Sequence, residues 1–464
     1  MSKTVKIHFF GAAGTVTGSK FLLETEEMNI LIDCGMFQGL KELRELNWEE
    51  PSFPPDEIDL VLLTHGHLDH SGYLPRLVSK GFTGTIRGTA PTLAIAEIIM
   101  FDSAKIQEED ADRANEEEYT KHDPALPLYT IEDVEKTTGL FHSAEPESWY
   151  EASENIRYRF LKNGHILGAT FIELDIFGKI FVFSGDIGRQ EDLLLEPPSH
   201  PEWADYLILE STYGDRLHPA EDAAEILAGT IKETLQKKGT LIIPSFAVER
   251  LQTLMFLIWK LYDQNKIPHL PVFIDSPMGN AVWTVFERFS SWHKLSKTDL
   301  RSMENFFEMI TSYKDTWKTV DDNRSKVVIA GSGMVTGGRV LTYLRYYLDK
   351  PDTTVLLVGF QAEGTRGRQL QEGAHDIKIF GKYCTVNAKI LNIGSLSAHA
   401  DQQGLLDWVS GIRNIPEAVY LIHGENTARD VLRVKLKDQT GWNVHLPNLQ
   451  EVVKITIGEK EKDL

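Results

Sequence analysis

Apolar positions come in short bursts over the first two hundred residues and in alternating short and long runs thereafter, and this change of rhythm organises the chain. Residues 5–10, 30–33 and 60–64 are β-branched or aliphatic and stop at polar residues or glycine, which predicts strands. A helix-like stretch at 91–101 follows, and then four strand-like segments in quick succession at 155–161, 171–176, 180–184 and 206–209. Strands in such density with helices outside them predict a layered α/β arrangement. Beyond about residue 210, strand-like and longer helical runs alternate (240–243, 248–265, 272–275, 326–330, 339–348, 354–358), the pattern of a parallel sheet flanked by helices. After about residue 385 come a strand, a helix from Asp401, a strand over 418–422 and a final helix, with no internal repeat and no low-complexity linker.

At 464 residues the chain exceeds what one hydrophobic core usually fills, so two domains are expected. No apolar run approaches the roughly 18 residues of a membrane helix, and the opening residues lead into an alternating segment rather than a signal-peptide core. The expectation is a cytoplasmic protein with no membrane contact. Two cysteines, Cys34 and Cys384, cannot build a disulfide framework or a thiolate metal site, and read as small buried hydrophobes. The formal charge of -20 runs against a uniformly basic, nucleic-acid-binding surface, although a local groove can still be positive. Part of the excess sits in one run, Glu108, Glu109, Asp110, Asp112, Glu116, Glu117 and Glu118, which reads as a solvated helical insert.

The sharpest chemistry is Thr64-His65-Gly66-His67-Leu68-Asp69-His70, directly after a predicted strand. Three imidazoles and a carboxylate there have little packing value, since each needs a partner when buried, whereas both groups are zinc ligands. The loop can aim His65 and His67 one way while Asp69 and His70 turn toward a neighbouring position, which suggests two metals. Further ligand candidates stand at strand ends: His165 in Asn163-Gly164-His165, Asp186 in Ser184-Gly185-Asp186, and His423 in Ile422-His423-Gly424. Each alone reads as a polar residue closing a strand. Their joint presence changes that reading.

These motifs resemble the successive ligand motifs of the metallo-β-lactamase superfamily. The resemblance implies an αββα sandwich and two zinc ions per chain. His65, His67 and His165 would then hold one metal, Asp69, His70 and His423 the other, and Asp186 would bridge them. Asp33 matches the family's first motif and would orient ligands. Flavin-linked di-iron members replace a first-motif histidine by a carboxylate; this chain keeps both histidines, which favours zinc.

The long stretch between Asp186 and the terminal histidine resembles the β-CASP nucleases. Leu209-Glu210-Ser211-Thr212 is similar to their motif A, Ser397-Ala398-His399-Ala400-Asp401 to motif B and His423 to motif C. The resemblance implies a metallo-β-lactamase domain split into residues 1–208 and 386–464 around a β-CASP domain at 209–385. Histidine at motif C implies RNA rather than DNA as substrate. The implied activity is a zinc-dependent ribonuclease, endonucleolytic, acting on single-stranded RNA by attack of a zinc-bridging hydroxide. Asp69 would orient the nucleophile, and His399, held by Glu210, would protonate the leaving group. Ser397, Ser332, Arg339, Arg366 and Arg368 are candidate phosphate contacts, although surface arginines are more often simply solvated. The 331–339 segment could receive a phosphate on its amides or serve only as a turn. Two residues depart from the family pattern: Glu249, where glycine is usual, and Arg366, where an aliphatic residue is usual. A small-molecule ester or thioester hydrolase is the alternative, a DNA nuclease and a non-catalytic scaffold are further ones, and a homodimer is left open.

Overall fold

The computed structural model describes residues 2–117 and 123–458, and they divide into two compact units, residues 1–217 with 399–464, and residues 218–398. The first unit is a sandwich of two seven-stranded sheets. One sheet runs in the order Val452–Ile457, Lys3–Phe9, Phe21–Thr25, Asn29–Ile32, Leu60–Leu62, Thr85–Gly88, Phe141–Ser143. Its first four strands pair antiparallel and the rest parallel. The other runs Val444–His445, Ala418–Ile422, Tyr206–Glu210, Lys179–Phe183, Thr170–Ile176, Ile156–Lys162, Tyr150–Ser153. The two inner faces meet in one core, with Val5, Ile7, Ile30 and Leu62 from the first sheet against Phe160, Ile172, Phe181 and Ile208 from the second. Alternate residues point outward and are covered by helices, because both sheet faces are apolar. Leu31, Val61 and Ile86 lie under the helices Leu74–Ser79, Ala90–Glu116 and Ile131–Thr138. On the other side, Val182, Leu207 and Leu421 lie under Gln402–Val409 and Asn426–Thr440. The result is the α-β-β-α layering of the metallo-β-lactamase fold.

Ala90–Glu116 is one 27-residue helix, so the apolar stretch at 91–101 and the acidic run belong to the same element. The run continues the helix with Glu109, Asp110, Asp112 and Glu116 exposed, and Glu118 lies outside the described residues.

The second unit holds a six-stranded, wholly parallel sheet: Glu308–Met309, Val272–Asp275, Lys326–Ala330, Thr240–Pro244, Thr354–Val358, Lys389–Ile393. Its central strands are buried at every position, which explains their continuous apolar runs. The strand Lys389–Ile393 pairs along its length with Thr354–Val358. It therefore belongs to this sheet, and the first compact unit resumes at His399.

Candidate metal centre

Every proposed ligand sits on a loop leaving the end of a buried strand, so the sandwich supplies a rigid base and the loops supply chemistry. Leu60–Leu62 ends in Thr64 and His65; His67 then begins a single helical turn, Leu68–Ser71, which swings Asp69 and His70 round. Gly66 is required here by close approach: a Cβ would lie 2.8 Å from Ile95 Cγ2 and 2.9 Å from the Ala96 amide nitrogen. His165 follows Ile156–Lys162, Asp186 follows Lys179–Phe183, Glu210 ends Tyr206–Glu210, and His423 follows Ala418–Ile422. The neighbouring Asn163 side chain, fully buried, donates to the Ser184 carbonyl and ties the His165 loop to the Asp186 loop.

These side chains converge. Ligand atoms of His65, His67, His165 and Asp186 lie within 4.8 Å of one another, and so do those of Asp69, His70 and His423. Asp186 faces both groups: Oδ2 is 3.5 Å from His65 Nε2 and 3.6 Å from His165 Nε2, while Oδ1 is 3.4 Å from His70 Nε2 and 3.4 Å from His423 Nδ1. His423 Nε2 lies 3.4 Å from Asp69 Oδ2. Ring nitrogens crowd together, with donor and acceptor roles set by the tautomer: His65 Nε2 is 3.1 Å from His67 Nδ1, His165 Nε2 is 3.3 Å from that same atom, and His70 Nε2 is 3.2 Å from His423 Nε2.

Such crowding is costly unless a cation sits among the lone pairs. Asp186 Oδ1 is buried with no hydrogen-bond partner, on a carboxylate that is 1% exposed. Burial, joined by repulsion from the neighbouring imidazoles, holds His65 and His165 well below the usual histidine range and takes His67 down to about 4. All three are therefore neutral near pH 7, the form in which imidazole binds a metal. The residues fit a divalent metal of nitrogen and oxygen preference.

A second layer fixes the ligands. Asp33, 1% exposed and in the left-handed region at φ 56°, accepts from the Thr64 amide (2.8 Å), the Thr64 hydroxyl (2.8 Å) and His70 Nδ1 (2.7 Å). The Thr64 hydroxyl is also 3.1 Å from His65 Nδ1, so one carboxylate orients a histidine of each group. His423, at φ 47°, has its Nδ1 3.1 Å from the Thr212 hydroxyl. Thr64 and Thr212 carry orienting contacts that sequence reading passed over. Both stand inside motifs already noticed, and a hydroxyl beside a candidate ligand is the signal that could have found them.

His399 joins this cluster, its Nδ1 3.2 Å from Glu210 Oε1 and its Nε2 4.0 Å from Asp186 Oδ2. Burial disfavours its charged form, but the Glu210 carboxylate, with Asp186 and Asp69 behind it, outweighs burial and raises the imidazole above its usual range. Asp186, Glu210 and His399 are themselves close enough to hold an ion. Glu210 is, however, already engaged: Oε1 accepts from the Ile187 amide at 2.7 Å and Oε2 from the Thr212 amide at 3.1 Å. It is a fixed acceptor for His399 rather than a free ligand.

The remaining candidates, Ser332, Arg339, Arg366, Arg368 and Ser397, belong to the second unit. Arg339 Nη1 donates to the fully buried Asp275 at 2.8 Å, and that carboxylate also accepts from Thr316 and Tyr343, each at 2.7 Å. Arg366 donates to the carbonyls of Lys378 (2.6 Å), Thr336 (3.0 Å) and Val335 (3.3 Å), and Arg368 to Glu372 (2.6 Å). Ser332 Oγ accepts from the Thr336 and Gly337 amides at 3.1 and 3.3 Å, and the Val335 and Val340 amides bond to Ser332 and Gly331 carbonyls. Three amides of the 331–339 segment, those of Val335, Thr336 and Gly337, thus turn back onto Ser332, as in a turn. Ser397 is buried, 4% exposed.

Residues 13–237 match the metallo-beta-lactamase superfamily, 251–370 the Beta-Casp domain and 383–447 a Zn-dependent metallo-hydrolase RNA specificity domain. A ribonuclease from Thermus thermophilus is 33% identical over 455 residues, covering 96% of this chain and 99% of that one. A transcription termination factor from Methanocaldococcus jannaschii is 29% identical over 94% of this chain and 70% of its own, and an RNase J-like protein of the same organism is 30% identical over 91% and 93%. A crystal structure of a protein of unknown function from Enterococcus faecalis shares the fold at TM-score 0.55 and 12% identity, covering 97% of this chain and 100% of that one.

Proposed function

Because the chain belongs to the β-CASP family of the metallo-β-lactamase superfamily, a family of RNA-processing metallohydrolases, we propose that it is a ribonuclease that holds two zinc ions and hydrolyses single-stranded RNA endonucleolytically. The observation that carries this reading is the division of Asp186 between two imidazole sets, one oxygen to each. His65, His67 and His165 would hold one ion, Asp69, His70 and His423 the other, with Asp186 shared. Divalent ions there supply Lewis acidity, acidifying water and neutralising charge that builds on phosphoryl oxygens.

The chain's own residues do the rest. Asp69 is the least buried of the carboxylates in the cluster, its side chain 19% exposed, and is placed to orient the attacking water while it contacts His423. His399 keeps Nδ1 on Glu210, leaving Nε2 directed at the cluster to give its proton to the departing 3′ oxygen. Glu210, clamped by two backbone amides, fixes the imidazole's orientation and supports its charge. A rigid acid at the right place contributes about 10²- to 10⁴-fold. The small-molecule hydrolase reading is weaker, because the match to an RNA specificity domain at residues 383–447 and the ribonuclease and RNase J-like relatives favour RNA.

The test is metal analysis of the purified protein together with incubation on end-labelled RNA. About two zinc ions per chain and internal fragments of defined length support the proposal. Turnover of thioesters with intact RNA overturns it.

A further inference from the structure

The second unit carries a feature that the nucleolytic reading leaves unused: a two-stranded hairpin, Asp376–Ile379 with Lys382–Thr385, that joins no larger sheet. Ile377 and Ile379, 1% and 0% exposed, point inward with Cys384, into the core that also holds Val340, Leu344 and Leu357. The bond from Arg366 Nε to the Lys378 carbonyl ties the same strand down. Held from behind, the hairpin does not need its outer face for stability, yet that face and the tip are aromatic. Tyr383, opposite Lys378, is 75% exposed, and Phe380 at the turn is 52% exposed.

The turn makes phenylalanine a costly choice. Ile379 pairs with Lys382, so the loop has two residues, and both have positive φ, 47° at Phe380 and 76° at Gly381. Such a loop favours asparagine, aspartate or glycine in first place, and a bulky side chain there is strained. Burial does not offset the strain, because the ring is half in solvent. Lys378 and Lys382 flank the turn, both exposed, and among the described residues neither ammonium has a carboxylate within 4.0 Å. The hairpin's one acid, Asp376, sits at its open end and accepts from the Thr385 hydroxyl at 2.8 Å. In a chain of formal charge -20, this tip is cationic and aromatic. The ligand that fits alternates flat apolar faces with negative charge, which is the make-up of single-stranded RNA; a duplex keeps its base faces inside the stack. A second copy of this chain docking tip to tip would set lysines against lysines. We propose that the 376–385 hairpin is a docking point for single-stranded RNA, with bases stacking on Phe380 and Tyr383 and phosphates meeting Lys378 and Lys382. This role rests on the ribonuclease reading for its ligand.

The experiment measures binding apart from cleavage. Fluorescein-labelled 2′-O-methyl oligo-U, chosen to resist cleavage, is titrated with the full metal-loaded chain and followed by anisotropy, alone and as a duplex with oligo-A. Phe380→Asn raises the single-strand Kd about tenfold, as one stacked base is lost, while the melting temperature holds or rises because asparagine suits the turn. Tyr383→Ser raises that Kd by a similar factor, and neither substitution alters binding of the duplex. Lys378→Gln with Lys382→Gln flattens the dependence of log Kd on log salt by about 1.4, the share of two phosphate contacts. An unchanged single-strand Kd in both aromatic variants overturns the proposal, and so does a loss that is equally large for the duplex. A changed oligomeric state by light scattering with RNA affinity intact gives the tip to a protein contact and overturns it too. If the unaltered chain cleaves no RNA, the ribonuclease reading fails and the hairpin's role with it; if it cleaves RNA and the variants bind as it does, only the hairpin's role fails.

Discussion

Replacing Asp275 by alanine tests whether the second unit is organised around a buried charge or presents an arginine to the substrate. Asp275 is fully buried and accepts from Arg339, Thr316 and Tyr343, while the Arg339 side chain is 14% exposed. Removing the carboxylate leaves a largely buried guanidinium with the Thr316 hydroxyl, 2.9 Å away, and the face of Tyr313, 5.2 Å away, and it leaves a buried phenol without this acceptor. Breaking one side of such a pair costs about 3–5 kcal/mol, and an orphaned phenol adds part of its own penalty, so a loss of about 4 kcal/mol is expected. Arg339→Met costs less, about 2 kcal/mol, because the carboxylate keeps two hydroxyl donors. The double variant Asp275→Ala with Arg339→Met removes both charges and recovers much of the loss, leaving a coupling of about 2–3 kcal/mol. Hydrogen exchange resolved by mass spectrometry suits a two-unit chain better than one global melting curve; peptides covering 272–275 and 326–330 report local opening. Additive single effects within about 0.5 kcal/mol would refute the reasoning, above all if Arg339→Met also weakened RNA binding. The arginine would then be a phosphate contact and its pairing with Asp275 incidental.

His399→Ala lowers the RNA cleavage rate by about 10²-fold or more with unchanged zinc content; unchanged turnover removes His399 from the reaction. Thr64→Val deletes the hydroxyl that links Asp33 to His65 and weakens metal binding by about 10- to 100-fold in competition with a chromophoric chelator, whereas an unaltered affinity denies the linkage any role. Stripping metal lowers the melting temperature and zinc restores it, because the crowded imidazoles and the unpartnered Asp186 Oδ1 lose their cation; a melting temperature indifferent to chelation contradicts the fit. Lys20 titrates near 8 in the folded protein against 10.5 unfolded, so below pH 8 both states are charged and the folded state bears the full penalty, about 3 kcal/mol. Between pH 8 and 10 the unfolded chain binds more protons and the penalty fades. Lys20→Met should therefore stabilise the protein most at pH 7 and progressively less up to pH 10, where Cys34 and Tyr73, both pushed up to about 12, are still neutral. A difference independent of pH over that window contradicts the burial of an uncompensated ammonium.

The motif at 65–70 was legible because its chemistry is local: four ligand-type residues in six positions have no packing explanation. His165, Asp186 and His423 were individually ambiguous, and only their arrival at strand ends of one sandwich brings them together. The parallel sheet of the second unit was readable from its uninterrupted apolar runs. Pairing over long separations was not. Val452–Ile457 alternates exposed and buried positions like any edge strand, and nothing local reveals that it lies beside Lys3–Phe9. Nor could the sequence tell a solvated arginine from one held by its own fold. Arg339, Arg366 and Arg368 look alike as letters, and each has a partner set by tertiary structure: Asp275, backbone carbonyls and Glu372 respectively. Lys20 was invisible for the same reason, since its aromatic surroundings come from Phe37 and Tyr73, 17 and 53 positions further on.

The order in which the chain contributes to its first unit matters for synthesis. Strands 418–422 and 452–457, with His399 and His423, follow the whole of the second unit in sequence. At about 5–20 residues per second, the ribosome needs roughly 12–47 s to travel from Asp186 to His423. During that interval the nascent polypeptide displays an incomplete cluster, each sheet of the sandwich lacks an edge, and His399 has not yet been made. A growing chain surrounded by messenger RNA is thus unarmed until translation is nearly finished.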